Sequence, residues 1–412
     1  MAKTLDVFLQ SQQAGQLIQD KDGRLSFTYD PSYLKRKGAV DLSLALPLAE
    51  FPYGHGVCHA VFGGMLPDGD VRIRLAKALR VSDKNDISLL AEIGGECAGA
   101  VSLWPVDGPG PRAGKGQRKK LSGEALEGIF KQLPTQPLLI GEGVRLSLAG
   151  AQNKLALMQE QGQFYLPAEN ESSTHILKIA ADGYEGILEN ELYCMRLAAR
   201  VGLPAAGVSV GQAGSVGYIC VERFDRERAK DGTVNRVHQE DFCQALGVAP
   251  ETKYQSEGGP GLAACVELLR KHSARPAADL AALLKLFYFN FLIGNADAHA
   301  KNYSILFTEA GPVLAPAYDV LCTAIYKNLG SKMAMKIDSK YDPDMVATRH
   351  WEDLAKKCDL KPAFVVEGLR DLAGRIGAEA PALAEALVKD GGPKKVFGEI
   401  QAVFQERASK IL

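Results

Sequence analysis

Asp297, His299, Lys301 and Asn302 lie within six positions of one another in GNADAHAKN (294–302), at the end of the apolar run LLKLFYFNFLIG (283–294). A carboxylate that can take a proton and an amide oxygen that can hold a hard cation are two things phosphoryl transfer requires. The spacing from Asp297 to Asn302, D-x-x-x-x-N, is that of the protein-kinase catalytic loop, where the Asp is the base and the Asn a Mg²⁺ ligand. The spacing alone arises often by chance, so the other residues of such a site must be sought.

A second carboxylate, Asp319, follows a short apolar segment in VLAPAYDVL (313–321) and suits a second Mg²⁺ ligand. Upstream, Lys178 stands alone among apolar residues in HILKIA (175–180), as does the kinase lysine that pairs with nucleotide phosphates. Glu191, thirteen residues later on an expected helix, could hold that lysine, with Glu189 as its nearby rival. Before the lysine comes SLAGAQNKLAL (147–157), in which Gly150 between two alanines lets backbone approach a ligand and cradle phosphate. It is neither G-x-G-x-x-G nor a Walker A loop.

Each residue has a plainer reading. Asp297 could cap a turn, Asp319 could form an Asx turn, and Gly150 could serve a hairpin. Lys178 could guard an edge strand, and His299 could be a satisfied surface histidine. These readings would have to hold together, in the order that phosphotransfer demands.

The surrounding elements suit such a site. Residues 1–104 read as a small mixed domain, with LDVFLQ and RLSFTY alternating as strands and Ser82 and Asn85 as possible caps before an apolar helix. PVDGPGPRAGKGQRKK (105–120) reads as a basic Gly/Pro linker, whose Arg112, Lys115, Arg118, Lys119 and Lys120 could meet a phosphate-bearing partner. Residues 121–238 are strand-rich around one helix, EGILENELYCMRLAARVG, and 239–412 are mostly helical. That order gives an α+β, bilobal arrangement with a ligand cleft between lobes.

With 412 residues, 46% apolar and 24% charged, the chain can bury a sizeable core. A net charge of −1 gives no chain-wide footprint for nucleic acid or a membrane surface. No run of eighteen apolar residues appears, and the N-terminus lacks a signal-like apolar region, so no membrane span and a cytoplasmic location are expected. The eight cysteines are scattered without a CxxC pair, as expected of buried reduced thiols rather than zinc ligands.

In the pieces LSLAGAQNKLAL, STHILKIA, NELYC, VERFDR, HQEDFCQALG, KYQSEGGPG, FLIGNADAHAKNYS and PAYDV, spanning about 144–320, the chain resembles the HipA family. These are serine/threonine-protein kinase toxins of HipBA toxin–antitoxin systems. The resemblance implies a protein-kinase-like fold and ATP- and Mg²⁺-dependent transfer. It makes Asp297 the base, Asn302 and Asp319 the metal ligands, and Lys178 the phosphate-binding lysine. Ala149, Gly150, Ala151, Gln152, Asn153 and Lys154 become the phosphate loop, and His299, Lys301 and Tyr318 part of the nucleotide site. Glu222, Arg223 and Phe224 resemble the hinge that meets adenine, with Asp225 close to the ribose. Ser147 looks like the serine the family autophosphorylates. The resemblance also implies a HipB-like helix-turn-helix antitoxin, operator DNA reached mainly through it, and a protein target such as an aminoacyl-tRNA synthetase. Two other readings stay open: a kinase of a small molecule or lipid head group, and a nucleotide-binding corepressor without protein-kinase activity.

Overall fold

The computed structural model describes residues 3–111, 117–137, 145–150, 152–168 and 171–411. Arg112, Lys115 and Ala151 therefore lie outside the described residues. The chain folds into two compact units. One comprises Met1–Ile179, Gly211–Glu251 and Leu306–Thr308; the other comprises Ala180–Val210, Thr252–Ile305 and Glu309–Leu412. The units cut across the sequential blocks read from composition, because residues 121–179 share a unit with the N-terminal hundred. The fold class is α+β, as expected.

In the first unit, strands Leu25–Tyr29, Gln12–Gln19, Lys3–Leu9 and Val101–Pro105 form an antiparallel sheet in that order. Leu5, Val7 and Leu9 alternate inward, as a half-buried strand requires, and share a core with Leu17, Phe27, Leu89 and Leu90. The helix Asp86–Ile93 that supplies Leu89 and Leu90 is capped by Asn85, whose side chain accepts from the Ser88 N–H.

A second, six-stranded sheet includes, in order, Lys119–Lys120, Gln163–Leu166, Lys154–Glu160, His175–Ile179 and Val216–Glu222. The last two residues of the expected linker are thus a strand, paired with Tyr165 and Leu166. Leu155, Leu157, Leu177 and Ile179 face the helix Gly123–Gln132 and pack with its Leu126 and Phe130. Ala156 and Ile176 point the other way, into the core of the first sheet. By the two-residue period, Lys178 shares the face of Ile176. It sits opposite Lys154 on one neighbouring strand and Ile219 on the other. The edge-strand reading of Lys178 therefore fails, because its strand is an inner one.

Glu240, in strand His238–Asp241, is buried and holds the 42–44 segment. Its carboxyl meets the Ser43 hydroxyl and the Leu44 N–H at 2.8 Å, and His238 Nε2 lies 2.9 Å from the Leu42 carbonyl. Burial pushes the Glu240 carboxyl up to about 8. A carboxyl raised on folding gives a contribution fully present below its ordinary value near 4.5 and lost as pH rises through 8. Glu240→Gln should therefore flatten the fall in stability between pH 5 and pH 9, read as denaturation midpoints across that range. Parallel curves for both proteins would refute the assignment.

In the second unit, the helix Pro276–Ile293 is held at its start by Asp279, which is 1% exposed. That carboxylate accepts from the Ser273 hydroxyl at 2.7 Å, Arg275 Nε at 3.0 Å and the Leu314 N–H at 2.9 Å. By length and composition this helix could cross a membrane, although the sequence suggested no such segment. In the fold its apolar side chains are core: Phe287, Tyr288 and Phe291 surround the buried Trp351 edge-on. All eight cysteines are buried, with no disulfide among the described residues.

Candidate active site

The site begins where that helix stops. Gly294 takes a left-handed φ of 84°, and its N–H closes on the helix carbonyls of Asn290 and Phe291. A side chain there would collide with Val403 Cγ1 at 2.7 Å, so glycine is required twice over. The next residues are held by a ladder of amides. The Asn295 side chain donates to Asn290 Oδ1 at 2.9 Å and accepts from the Asp297 N–H at 3.1 Å. The Ala296 N–H donates to Thr323 Oγ1 at 2.8 Å. The apolar run before GNADAHAKN is thus the rigid post from which the polar loop is hung.

The Asp297 side chain is half-exposed, while His299 and Lys301 are buried. His299 Nε2 lies 3.9 Å from Asp297 Oδ1, so the histidine is an interior neighbour rather than a surface residue. Asn302 turns back on the loop, its Nδ2 donating to the Asp297 carbonyl at 3.0 Å. That bond commits the amide nitrogen and turns Oδ1 into the atom a cation could use. Tyr318 braces the same loop: its hydroxyl donates to the Lys301 carbonyl at 2.8 Å and lies 2.7 Å from Ser304 Oγ.

Asp319 follows with φ 57°, a left-handed conformation rare for a non-glycine residue. The segment after it is clamped to the helix Ile187–Arg200 that carries Glu191. Asn190 Nδ2 donates to the Cys322 carbonyl, and the Cys322 N–H donates to Asn190 Oδ1, each at 2.8 Å. Glu191 itself is 2% exposed. Sequence reading assigned no role to Asn190 or to Asn295.

Tyr254 was also passed over. It lies in KYQSEGGPG, which carried the resemblance but received no role. Its hydroxyl donates to Asp297 Oδ1 at 2.5 Å, and its ring meets His299 edge-on at 5.3 Å.

In the first unit, the segment before Lys154 is docked on the N-terminal sheet and its helices. The Ser147 N–H donates to the Glu96 carbonyl and the Glu96 N–H to the Arg145 carbonyl, each at 2.8 Å. Leu146 and Leu148 enter the N-terminal core, and the Asp68 N–H bonds the Gly150 carbonyl at 3.2 Å. The Ser147 hydroxyl is fully buried and donates to the Met65 carbonyl at 2.7 Å. Arg145 pins the start of the segment. Its guanidinium lies 4.1 Å above the Trp104 ring and donates to the carbonyls of Ala91, Glu92 and Leu103. Gly150 has φ 101°, beyond what other residues adopt readily. Lys154 Nζ folds back on the Ala149 carbonyl, Arg74 donates to Asn153 Oδ1 at 2.9 Å, and Gln152 is half-buried.

The side chains of the hinge-like VERFDR divide between surface and interior. Glu222 is exposed and Phe224 half-buried, but Arg223 and Asp225 are 5% and 2% exposed. The Asp225 carboxylate accepts two bonds from Arg223 at 3.0 and 2.8 Å, one from the Gly99 N–H at 2.7 Å, and pairs with Arg226 at 2.9 Å. Arg223 and Arg226 also meet Glu96, at 3.2 and 2.7 Å. Burial alone would push the Asp225 carboxyl up, yet the two guanidiniums hold it below the usual range. The carboxylate expected beside a ribose is enclosed by its ion pairs with Arg223 and Arg226.

Asp297, Asn302, Asp319, His299, Lys301, Tyr318 and Glu191 belong to the second unit; Lys178, the 147–154 segment and the VERFDR turn belong to the first. Among the described residues no group of three or more His, Cys, Asp or Glu gathers to hold a metal by itself. One carboxylate and one amide oxygen, completed by a nucleotide's phosphates, suit Mg²⁺, which keeps few protein ligands.

Residues 5–104 match the HipA N-terminal domain and residues 146–380 the HipA-like C-terminal domain. The chain is 43% identical over 389 residues to "Putative kinase Y4mE" of Sinorhizobium fredii, covering 93% of this chain and 92% of that one. It is 31% identical over 388 residues to "Serine/threonine-protein kinase toxin HipA" of Shewanella oneidensis, covering 89% and 87% respectively. Among solved structures, the Shewanella oneidensis complex of HipA, HipB and operator DNA superposes with a TM-score of 0.83 at 27% identity. That match covers 99% of this chain and 96% of the other.

Proposed function

The chain belongs to the HipA family, and on that premise we propose that it is an ATP- and Mg²⁺-dependent serine/threonine-protein kinase, the toxin of a toxin–antitoxin pair. The observation that carries the reading is the half-exposed Asp297 carboxylate, with Asn302 bonded through Nδ2 to the Asp297 backbone. Asp297 takes the proton of a serine or threonine hydroxyl as that oxygen attacks the γ-phosphorus of ATP and the bond to the β,γ-bridging oxygen breaks. Asn302 Oδ1 and the Asp319 carboxylate would hold Mg²⁺, which when bound would supply neutralisation of the phosphate charge. Lys178, on its inner strand, pairs with the phosphates. The 147–154 segment covers them with backbone N–H groups. Glu222 to Phe224 contribute backbone to the adenine.

The partners proposed are a HipB-like helix-turn-helix antitoxin, operator DNA through that antitoxin, and a protein target of the aminoacyl-tRNA synthetase kind. Support comes from the solved relative, which holds HipA together with HipB and operator DNA.

Ser147 is proposed as an autophosphorylation site that silences the enzyme. Its hydroxyl is enclosed, so the segment must leave the N-terminal core before it can be modified. A phosphate carrying up to about −2 charge cannot return to that slot, and it would repel the phosphates of ATP. The test is incubation with γ-labelled ATP. Label should appear on Ser147 and wild-type activity should decay with it, whereas Ser147→Ala should take no label there and keep its activity. Equal decay of both proteins would exclude self-silencing at Ser147, and a wild type that labels neither itself nor an added acceptor protein would exclude the kinase reading.

A further inference from the structure

We infer that Tyr254 is the positioning residue of the proposed base: it ties Asp297 Oδ1 so that Oδ2 faces the acceptor hydroxyl. The inference rests on the kinase reading above and adds a residue to it.

A carboxylate on a short side chain has two equivalent oxygens and a freely turning terminal bond, so a half-exposed aspartate is poorly aimed unless something holds it. Asp297 is held on its Oδ1 side. The Tyr254 hydroxyl donates to Oδ1 at 2.5 Å, the short distance of a bond to a charged acceptor. His299 Nε2 stands 3.9 Å from the same oxygen.

The tyrosine is itself built in. Its ring packs edge-on against His299 at 5.3 Å, and Lys253 Nζ lies 5.5 Å from the ring centroid. Its carbonyl accepts from the Gly259 N–H at 2.9 Å, closing the turn. The next residue anchors the turn to the chain beyond Asp319. The Gln255 N–H bonds the Ala334 carbonyl at 3.0 Å, and Gln255 Oε1 accepts from the Lys336 N–H at 2.9 Å. The Ala334 N–H in turn bonds the Ala296 carbonyl at 2.8 Å, one residue before the base. Three segments distant in sequence are thereby stitched around one carboxylate. A Cβ at Gly261 would lie 2.2 Å from the Gln255 amide nitrogen, so a side chain there would displace that amide.

A phenol donating to the carboxylate is a directional hydrogen bond. With Oδ1 engaged, the proton leaving the acceptor hydroxyl goes to Oδ2. Misplacement of a reacting group by about 1 Å costs about 100-fold in rate. Loss of this one hydrogen bond should therefore cost about 10- to 100-fold in the transfer step, with little effect on nucleotide binding.

The experiment compares wild type, Tyr254→Phe, Asp297→Asn and the double variant. Phenylalanine keeps the ring against His299 and removes only the hydroxyl. Initial transfer of label from γ-labelled ATP to an added acceptor protein such as casein is measured across ATP concentrations, so that release of the Ser147 segment does not limit the rate, and crystal structures of wild type and Tyr254→Phe report the Asp297 side chain. The expected result is a 10- to 100-fold fall in maximal rate with KM for ATP within twofold, no further loss in the Asp297→Asn background, and an Asp297 side chain that turns or splits into conformers. An unchanged rate, or a fallen rate with Asp297 in its original single conformer, overturns the inference. If wild type labels neither itself nor the acceptor, the kinase reading fails, and the Asp297 conformer alone then decides whether Tyr254 positions it.

Discussion

Asp297→Asn is expected to slow phosphoryl transfer by about 10²- to 10⁴-fold, the usual contribution of a positioned general base. The carboxamide keeps the size and the hydrogen-bonding reach of the carboxylate. The amides of Asn295 and Asn302 bind the backbone of residue 297, not its side chain, so the loop should keep its shape. The loss should therefore fall on the rate and not on nucleotide binding. Equilibrium binding of labelled ATP alongside single-turnover transfer separates the two. If the chain arrests growth when expressed, the same substitution should relieve the arrest. Transfer within a few-fold of wild type would remove Asp297 from the role of base.

Asp225→Ala should destabilise the fold by about 3–5 kcal/mol, the cost of leaving buried charges without their partner. Among the described residues, Arg223 and Arg226 would then face each other with Glu96 as the carboxylate left to balance them. Since folding lowers the Asp225 carboxyl, its contribution is present at neutral pH and lost as pH falls through the folded value. Glu160→Ala is the control, because it breaks a pair with Arg118 whose side chains are 42% and 34% exposed. An exposed pair of that kind is worth about 1 kcal/mol or less. Denaturant midpoints at pH 7 should separate the two variants clearly. Near-equal midpoints would mean that the Arg223–Asp225–Arg226–Glu96 cluster adds nothing specific to the fold.

What the sequence disclosed depended on how local each cause was. The D-x-x-x-x-N spacing, the lone lysine of HILKIA and the helix through Glu191 are visible over a few residues, and each occupies an element of the expected kind. The inner position of the Lys178 strand could not be read, because it depends on which strands become its neighbours. Tyr254 reaches Asp297 across 43 positions, Asn190 reaches Cys322 across 132, and Arg223 reaches Glu96 across 127. No periodicity announces such pairs. In VERFDR the motif is local, but the partners that enclose the Arg223 and Asp225 side chains lie far upstream, at Glu96 and Gly99.

The seat of Ser147 has a consequence for timing. If the serine is marked only once residues 145–150 have peeled away from Met65, Asp68 and Glu96, the chemical step waits on a mechanical one. The active lifetime of each molecule would then be a dwell time, set by how often a few backbone bonds and the Arg145 clasp over Trp104 let go. Such a clock could be reset from the N-terminal sheet without any change at the residues that handle phosphate.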